Sequence, residues 1–146
     1  MAITVEFDTT QVKAALKRLD DTVRGEAAKQ ALQTGAHVIE AKAKVNLSGH
    51  GLHKTGRLIN SVEVFNVTPK QALVGSRGVI YAPVHEFGTV IRPKRAKVLS
   101  WIGQDGVRRF AKMVRIPARP WLRPAAEESK AEIANVMAMV IRSFLK

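Results

Sequence analysis

The chain has 146 residues, 46% of them hydrophobic and 25% charged, which suits one globular domain with a substantial core. It carries 24 Lys or Arg against 12 Asp or Glu, a formal charge of +12 that favours polyanionic partners, either nucleic acid or an acidic protein surface. Zero cysteines exclude disulfides, thiolate zinc sites and cysteine nucleophiles, and no apolar run approaches the ~20 residues that span a bilayer.

The N-terminal MAITVEFDTT lacks the basic-then-apolar order of a signal peptide, so folding in a cytoplasm is expected. Alternation over residues 2–7, with Ile3, Val5 and Phe7 on one face, predicts a short opening strand. Asp8, Thr9 and Thr10 supply capping oxygens for a helix carrying Val12, Leu16, Leu19 and Val23, with a break at Gly25. A second helix is predicted over residues 26–45, its stripe formed by Ala27, Ala31, Gly35, Val38 and Ile39. Residues 46–53 have the composition of a mobile loop.

A helical turn over residues 57–60 should precede a strand at 61–67, followed by a turn at Pro69 and Lys70 and strand character at 72–75 and 79–81. Residues 90–102 and 107–116 flank Gly103-Gln-Asp-Gly106 and predict a hairpin, glycine being available for positive φ. A Pro-rich strap over 116–124 then leads into a terminal helix over 125–144. Acids Glu127, Glu128 and Glu132 lie at its start, Arg142 and Lys146 at its end, and its apolar face includes Ile133, Met137, Val140 and Phe144. The order predicts a single α+β domain over residues 1–146, with N-terminal helices, an antiparallel sheet with a long basic hairpin, and a C-terminal helix.

Catalytic signals fail one by one. Ser48-Gly-His-Gly-Leu-His-Lys-Thr55 has Ser48 and His53 where a Walker loop needs glycine. His50 and His53 have no third ligand nearby, and Gly49 and Gly51 oppose a helix that would align them. His85-Glu86 begins like a zincin motif, yet Thr89 stands where its second histidine belongs; Glu86 reads instead as pairing a base or capping a short turn. Ser61, Ser76 and Ser100 lack a nucleophile-elbow setting. No catalytic residue, metal ligand or cofactor is expected.

The basic segment is different. Ten Lys or Arg fall between Arg92 and Arg123 against one acid, Asp105. The expected hairpin turns Val98, Leu99, Trp101, Val107, Phe110, Met113 and Val114 to one apolar side. Lys94, Arg95, Lys97, Arg108, Arg109 and Lys112 then face DNA or a channel, joined by Arg92. No base-reading motif accompanies them, so DNA contact should be independent of sequence. Pro117, Pro120 and Pro124 stiffen the chain around Trp121 and Leu122. Two readings of that strap stand at this point: a cover holding Trp121 against its own domain, or a subunit contact anchored by Trp121.

Four motifs in order carry a resemblance: Thr55-Gly-Arg-Leu-Ile-Asn-Ser61, Tyr81-Ala-Pro-Val-His-Glu-Phe-Gly-Thr89, Ile91-Arg-Pro-Lys-Arg-Ala-Lys-Val-Leu-Ser-Trp101, and Val114-Arg-Ile-Pro-Ala-Arg-Pro-Trp-Leu-Arg-Pro-Ala125. From about Ala41 onward the chain resembles the neck or tail-completion (head–tail joining) proteins of long-tailed bacteriophages, including lambda gpZ-like minor tail proteins. It is similar also to the virion-morphogenesis proteins of Mu-like phages. The resemblance implies a non-catalytic homo-oligomeric ring, hexamer or dodecamer, at the head–tail junction of the virion. Its partners would be the head-closure or connector and the tail-terminator or tail-tube proteins, with genomic DNA passing through and no membrane. Ring closure needs two different patches per subunit. Those expected are the turn with Tyr81, Glu86, Phe87, Gly88 and Thr89, and the strap with Pro117, Arg119, Pro120, Trp121 and Leu122. Two other classes stay open from sequence: a sequence-independent nucleic-acid-binding protein, and a small nuclease or toxin-like hydrolase.

Overall fold

The computed structural model describes residues 3, 4, 6–51 and 56–145. Val5, His53, Thr55 and Lys146, named above, lie outside the described residues. The remaining residues of the predicted opening strand form no strand. Side chains hold them instead: Ile3 packs on one core cluster and Phe7 on the other.

Helix α1 (Thr10–Lys17) starts where Asp8 Oδ1 accepts the Thr10 backbone N–H at 2.9 Å and the Thr10 hydroxyl at 2.6 Å. The chain turns at residues 18–20, and helix α2 (Asp21–Gly49) runs straight through Gly25. The predicted break was misplaced for a physical reason. One glycine costs a helix only about 1 kcal/mol, whereas Arg24 locks the reversal upstream. Its guanidinium donates to the Leu19 and Leu16 carbonyls at 2.9 and 3.2 Å and pairs with Asp21 at 2.9 Å. The Leu16 carbonyl belongs to the last turn of α1 and the Leu19 carbonyl to the reversal that follows it. The far end of α2 also overruns the expected loop, because Leu47 is fully buried and the Asn46 amide donates to the Trp121 carbonyl at 3.0 Å.

Helix α3 (Arg57–Ser61) leads into the antiparallel hairpin of β1 (Val62–Phe65) and β2 (Leu73–Ser76), registered Val62 to Ser76 and Phe65 to Leu73. The Thr68 hydroxyl holds its turn by accepting the Lys70 and Gln71 N–H groups at 3.2 and 3.1 Å. Residues 79–81, expected as strand, instead turn into helix α4 (Ala82–Phe87). Pro83 sits in its first turn, where a helix needs no N–H and a fixed φ helps.

The long hairpin forms as expected, in two sections. Strand β3 (Thr89–Ile91) pairs with β6 (Val114–Ile116), and β4 (Leu99–Ile102) pairs with β5 (Arg108–Ala111). Gly103 and Gly106 close the tip, with the Gly103 N–H bonded to the Val107 carbonyl at 2.9 Å. The terminal helix is divided at Ser129 into α5 (Leu122–Glu128) and α6 (Lys130–Ser143). It begins earlier than predicted because Pro124, in the first turn, needs no donor. Ile133 and Met137 are buried as expected, while Val140 and Phe144 are partly buried. The architecture is α+β.

Helix α2 is the spine of both core clusters. Ala43 and Leu47 meet Leu58, Val62, Val79, Trp121 and Ala125, whereas Ala27 and Ala31 meet Val12, Leu19, Ile133 and Ile141. Helices α2 and α6 approach closely at Gly35, where a Cβ would lie 3.1 Å from Ile133 Cγ2 and 3.2 Å from Met137 Cγ. Gly35→Val is therefore expected to destabilise the protein by about 1–3 kcal/mol through overpacking. The urea midpoint reads this, and an unchanged midpoint would show that the two helices separate at no cost.

Candidate interaction surface

The two motifs on either side of the basic hairpin come together at its root. Glu86 on α4 is 3% exposed, and its carboxylate points at the start of α5. Oε2 accepts the Trp121 and Leu122 backbone N–H groups at 2.8 and 2.9 Å, and Oε1 accepts that of Arg123 at 3.0 Å. Unpaired N–H groups and the positive end of a helix favour an anion there. Glu86 is thus a helix cap delivered from 35 residues upstream, in place of the base pair or local turn cap expected.

Other contacts tighten the same root. The Arg119 N–H donates to the His85 carbonyl at 2.7 Å, Thr89 pairs with Ile116, and His50 Nε2 lies 2.9 Å from the Pro120 carbonyl. Gly88 has φ 70° and ψ 169°, and its Cα faces the backbone of Ile116 and Ala118. Tyr81 stacks edge-on against His85 with ring centroids 5.8 Å apart. Burial, helped by the nearby Arg119 charge, holds the His85 imidazole below its usual pKa.

Of the patch residues expected at a subunit contact, Phe87, Pro117, Arg119 and Pro120 are exposed, and Tyr81, Gly88 and Thr89 are half-buried. Trp121 has no exposed area, Leu122 is buried, and Glu86 is spent on the cap. These three build the root from inside their own chain. The cover reading of the strap is the one the structure takes, and Trp121 is unavailable as an anchor for a neighbour.

Beyond the root the hairpin is an arm. From residue 87 to residue 120 no residue is buried. Lys94, Arg95, Lys97, Arg108 and Lys112 are exposed, as is Arg92. Arg109 is engaged: its guanidinium holds Asp105 through two bonds of 3.0 and 2.7 Å, which also keeps that carboxyl below its usual pKa. The single apolar side expected of the hairpin does not exist. Cross-strand partners share a face, and the register pairs Trp101 with Arg109 but Phe110 with Ser100 and Ile102 with Arg108. Apolar and cationic side chains therefore occur on both faces. Counting outward from Gly103 and Gly106 would have revealed this in the sequence.

Among the described residues, no group of three or more His, Cys, Asp or Glu converges to hold a metal, and no helix is long and apolar enough to cross a membrane. The family model of the phage virion morphogenesis family matches residues 27–142, including the α4 turn, the whole arm and the strap. The chain belongs to the phage virion morphogenesis family. Its place is in the phage particle and its role is structural. The match begins well upstream of Ala41, taking in most of α2, which packs on α1, α3, α5, α6 and the β1–β2 hairpin. Neither a curated protein nor a solved structure matches the chain.

Proposed function

We propose that this virion protein is a ring-forming subunit of the head–tail junction, joining or completing the tail, with its basic arm turned to the genome's path. One observation supports the reading above the rest. The arm of residues 87–120 holds nine Lys or Arg against Asp105, and none of these bases is buried. A solvated hairpin does not need such an excess. Phosphates passing through a pore attract it whatever their sequence, and the arm carries no base-reading element. The ring would be a hexamer or dodecamer, seated between head-closure or connector proteins and tail-terminator or tail-tube proteins.

Binding to duplex DNA tests the role of the charge. Affinity should fall steeply with salt and be the same for random and defined sequences. Lys94→Glu combined with Lys97→Glu should weaken binding and lower the log–log salt slope by about two, with thermal stability unchanged. A salt-insensitive or sequence-selective interaction would remove the DNA reading. Normal assembly with no DNA binding would assign the bases to an acidic neighbouring ring.

A further inference from the structure

The two sections of the arm do not run on into each other. Register pairs Ile91 with Val114 and Leu99 with Ala111, so the seven residues from Arg92 to Val98 stand opposite two, Lys112 and Met113. Pro93 has no N–H to offer a ladder, and the first section ends before it. The short side spans about 10 Å, while the long side has about 26 Å of extended chain to fit beside it, so the long side bows outward. This waist holds Arg92, Lys94, Arg95, Lys97 and Lys112, all of them exposed. None of these five side chains has a hydrogen bond or ion pair among the described residues. The arm's single acid, Asp105, is at the tip and spent on Arg109.

We infer that the waist, and not the tip, is where the arm grips nucleic acid, its five cations lying along the phosphates of duplex DNA. This rests on the DNA reading of the arm and assigns the contact within it. Five like charges on about 10 Å of ribbon repel one another over distances that salt screens only partly. A polyanion laid across them relieves that repulsion. Duplex DNA presents one phosphate per about 1.7 Å of its axis, about six over the same 10 Å, and a single strand half as many. The charge of the waist matches the duplex. Protein interfaces, by contrast, are depleted of charge at their centres, and the waist is mostly charge. The tip competes poorly for phosphate. Arg109 is committed to Asp105, Arg108 is the one base left free there, and Trp101, Ile102, Val107 and Phe110 expose apolar surface.

The test uses the full chain and duplex DNA of random sequence. A waist variant carries Lys94→Gln, Arg95→Gln and Lys97→Gln. A control removes the same charge from exposed positions of the body, Lys13→Gln, Lys17→Gln and Lys29→Gln, and a tip variant carries Arg108→Gln. A fourth protein lacks residues 93–97, which merges the two registers into one ladder with Arg92 opposite Met113 and Val98 opposite Lys112. Thermal melts establish that all four fold, no altered residue being buried. The waist variant and the deletion should each bind roughly a hundred-fold more weakly at about 0.1 M salt and lose about three from the log–log salt slope. The body control and Arg108→Gln should stay within about five-fold of the unmodified protein, which should bind a single strand more weakly than the duplex. A waist variant that binds like the parent, a body control that loses as much, or a greater loss at Arg108 would overturn the waist and leave DNA binding standing. Equal affinity for a single strand would overturn the duplex assignment. An unmodified protein with no affinity for DNA would overturn both readings and give the cations to an acidic protein.

Discussion

Replacing Glu86 with alanine is expected to destabilise the protein by roughly 3 kcal/mol or more, the largest effect of any single side chain outside the apolar core. The carboxylate satisfies three backbone donors at once, those of Trp121, Leu122 and Arg123. Two of these hydrogen bonds are fully buried, so water cannot take the place of the lost acceptor. Each buried donor left unpaired costs about 1–3 kcal/mol, and losing a helix cap alone costs around 1. Glu86→Gln should lose less, because one oxygen remains, but the new amide must turn a donor toward a donor. The order wild type, Gln, Ala in urea-midpoint stability checks the argument. An alanine variant within about 0.5 kcal/mol of wild type would mean that α5 starts without its cap.

Gly88→Ala should be nearly as severe, for a steric reason. A backbone at φ 70° and ψ 169° is open almost only to glycine, and other residues held there are strained by about 1–3 kcal/mol. A Cβ would also lie 2.8 Å from the Ala118 nitrogen and 2.9 Å from the Ile116 oxygen. Neither atom can retreat freely, since Ile116 is paired to Thr89 and the neighbouring Arg119 N–H is bonded to the His85 carbonyl. A loss of about 3 kcal/mol, or about 10 °C in melting temperature, is expected. Gly106→Ala provides the comparison. Its φ is 76°, but nothing lies within 4 Å of its Cβ position, so it should cost only the conformational strain. Equal losses at the two positions would refute the close approach at Gly88.

Most elements with strong local signals were legible in the sequence. The Gly103–Gly106 tip fixed the arm, the apolar spacing from Ile133 to Ile141 fixed α6, and the turn at Pro69 and Lys70 separated β1 from β2. The errors fall where distant groups decide the outcome. Helix α2 passes Gly25 because Arg24 ties the previous turn, and it continues to Gly49 because Asn46 and Leu47 meet Trp121 and its surroundings. The role of Glu86 depends on donors 35 to 37 residues away, which no local pattern exposes. The faces of the hairpin follow cross-strand register and not hydrophobicity, so apolar residues such as Trp101 and Phe110 end on opposite sides. The charged arm was legible as a surface, and its family motifs were legible as a series.

The clamp at the arm's root separates two dimensions of the molecule. Among the described residues, every buried one lies outside residues 87–120, and beyond the root the ribbon contributes nothing to the core. Reach can therefore change independently of the fold. Each residue pair added to the ribbon carries its tip about 3.3 Å further out and leaves every core contact as it was. Lengthening or shortening this one ribbon alters how far the molecule extends and nothing of how it folds.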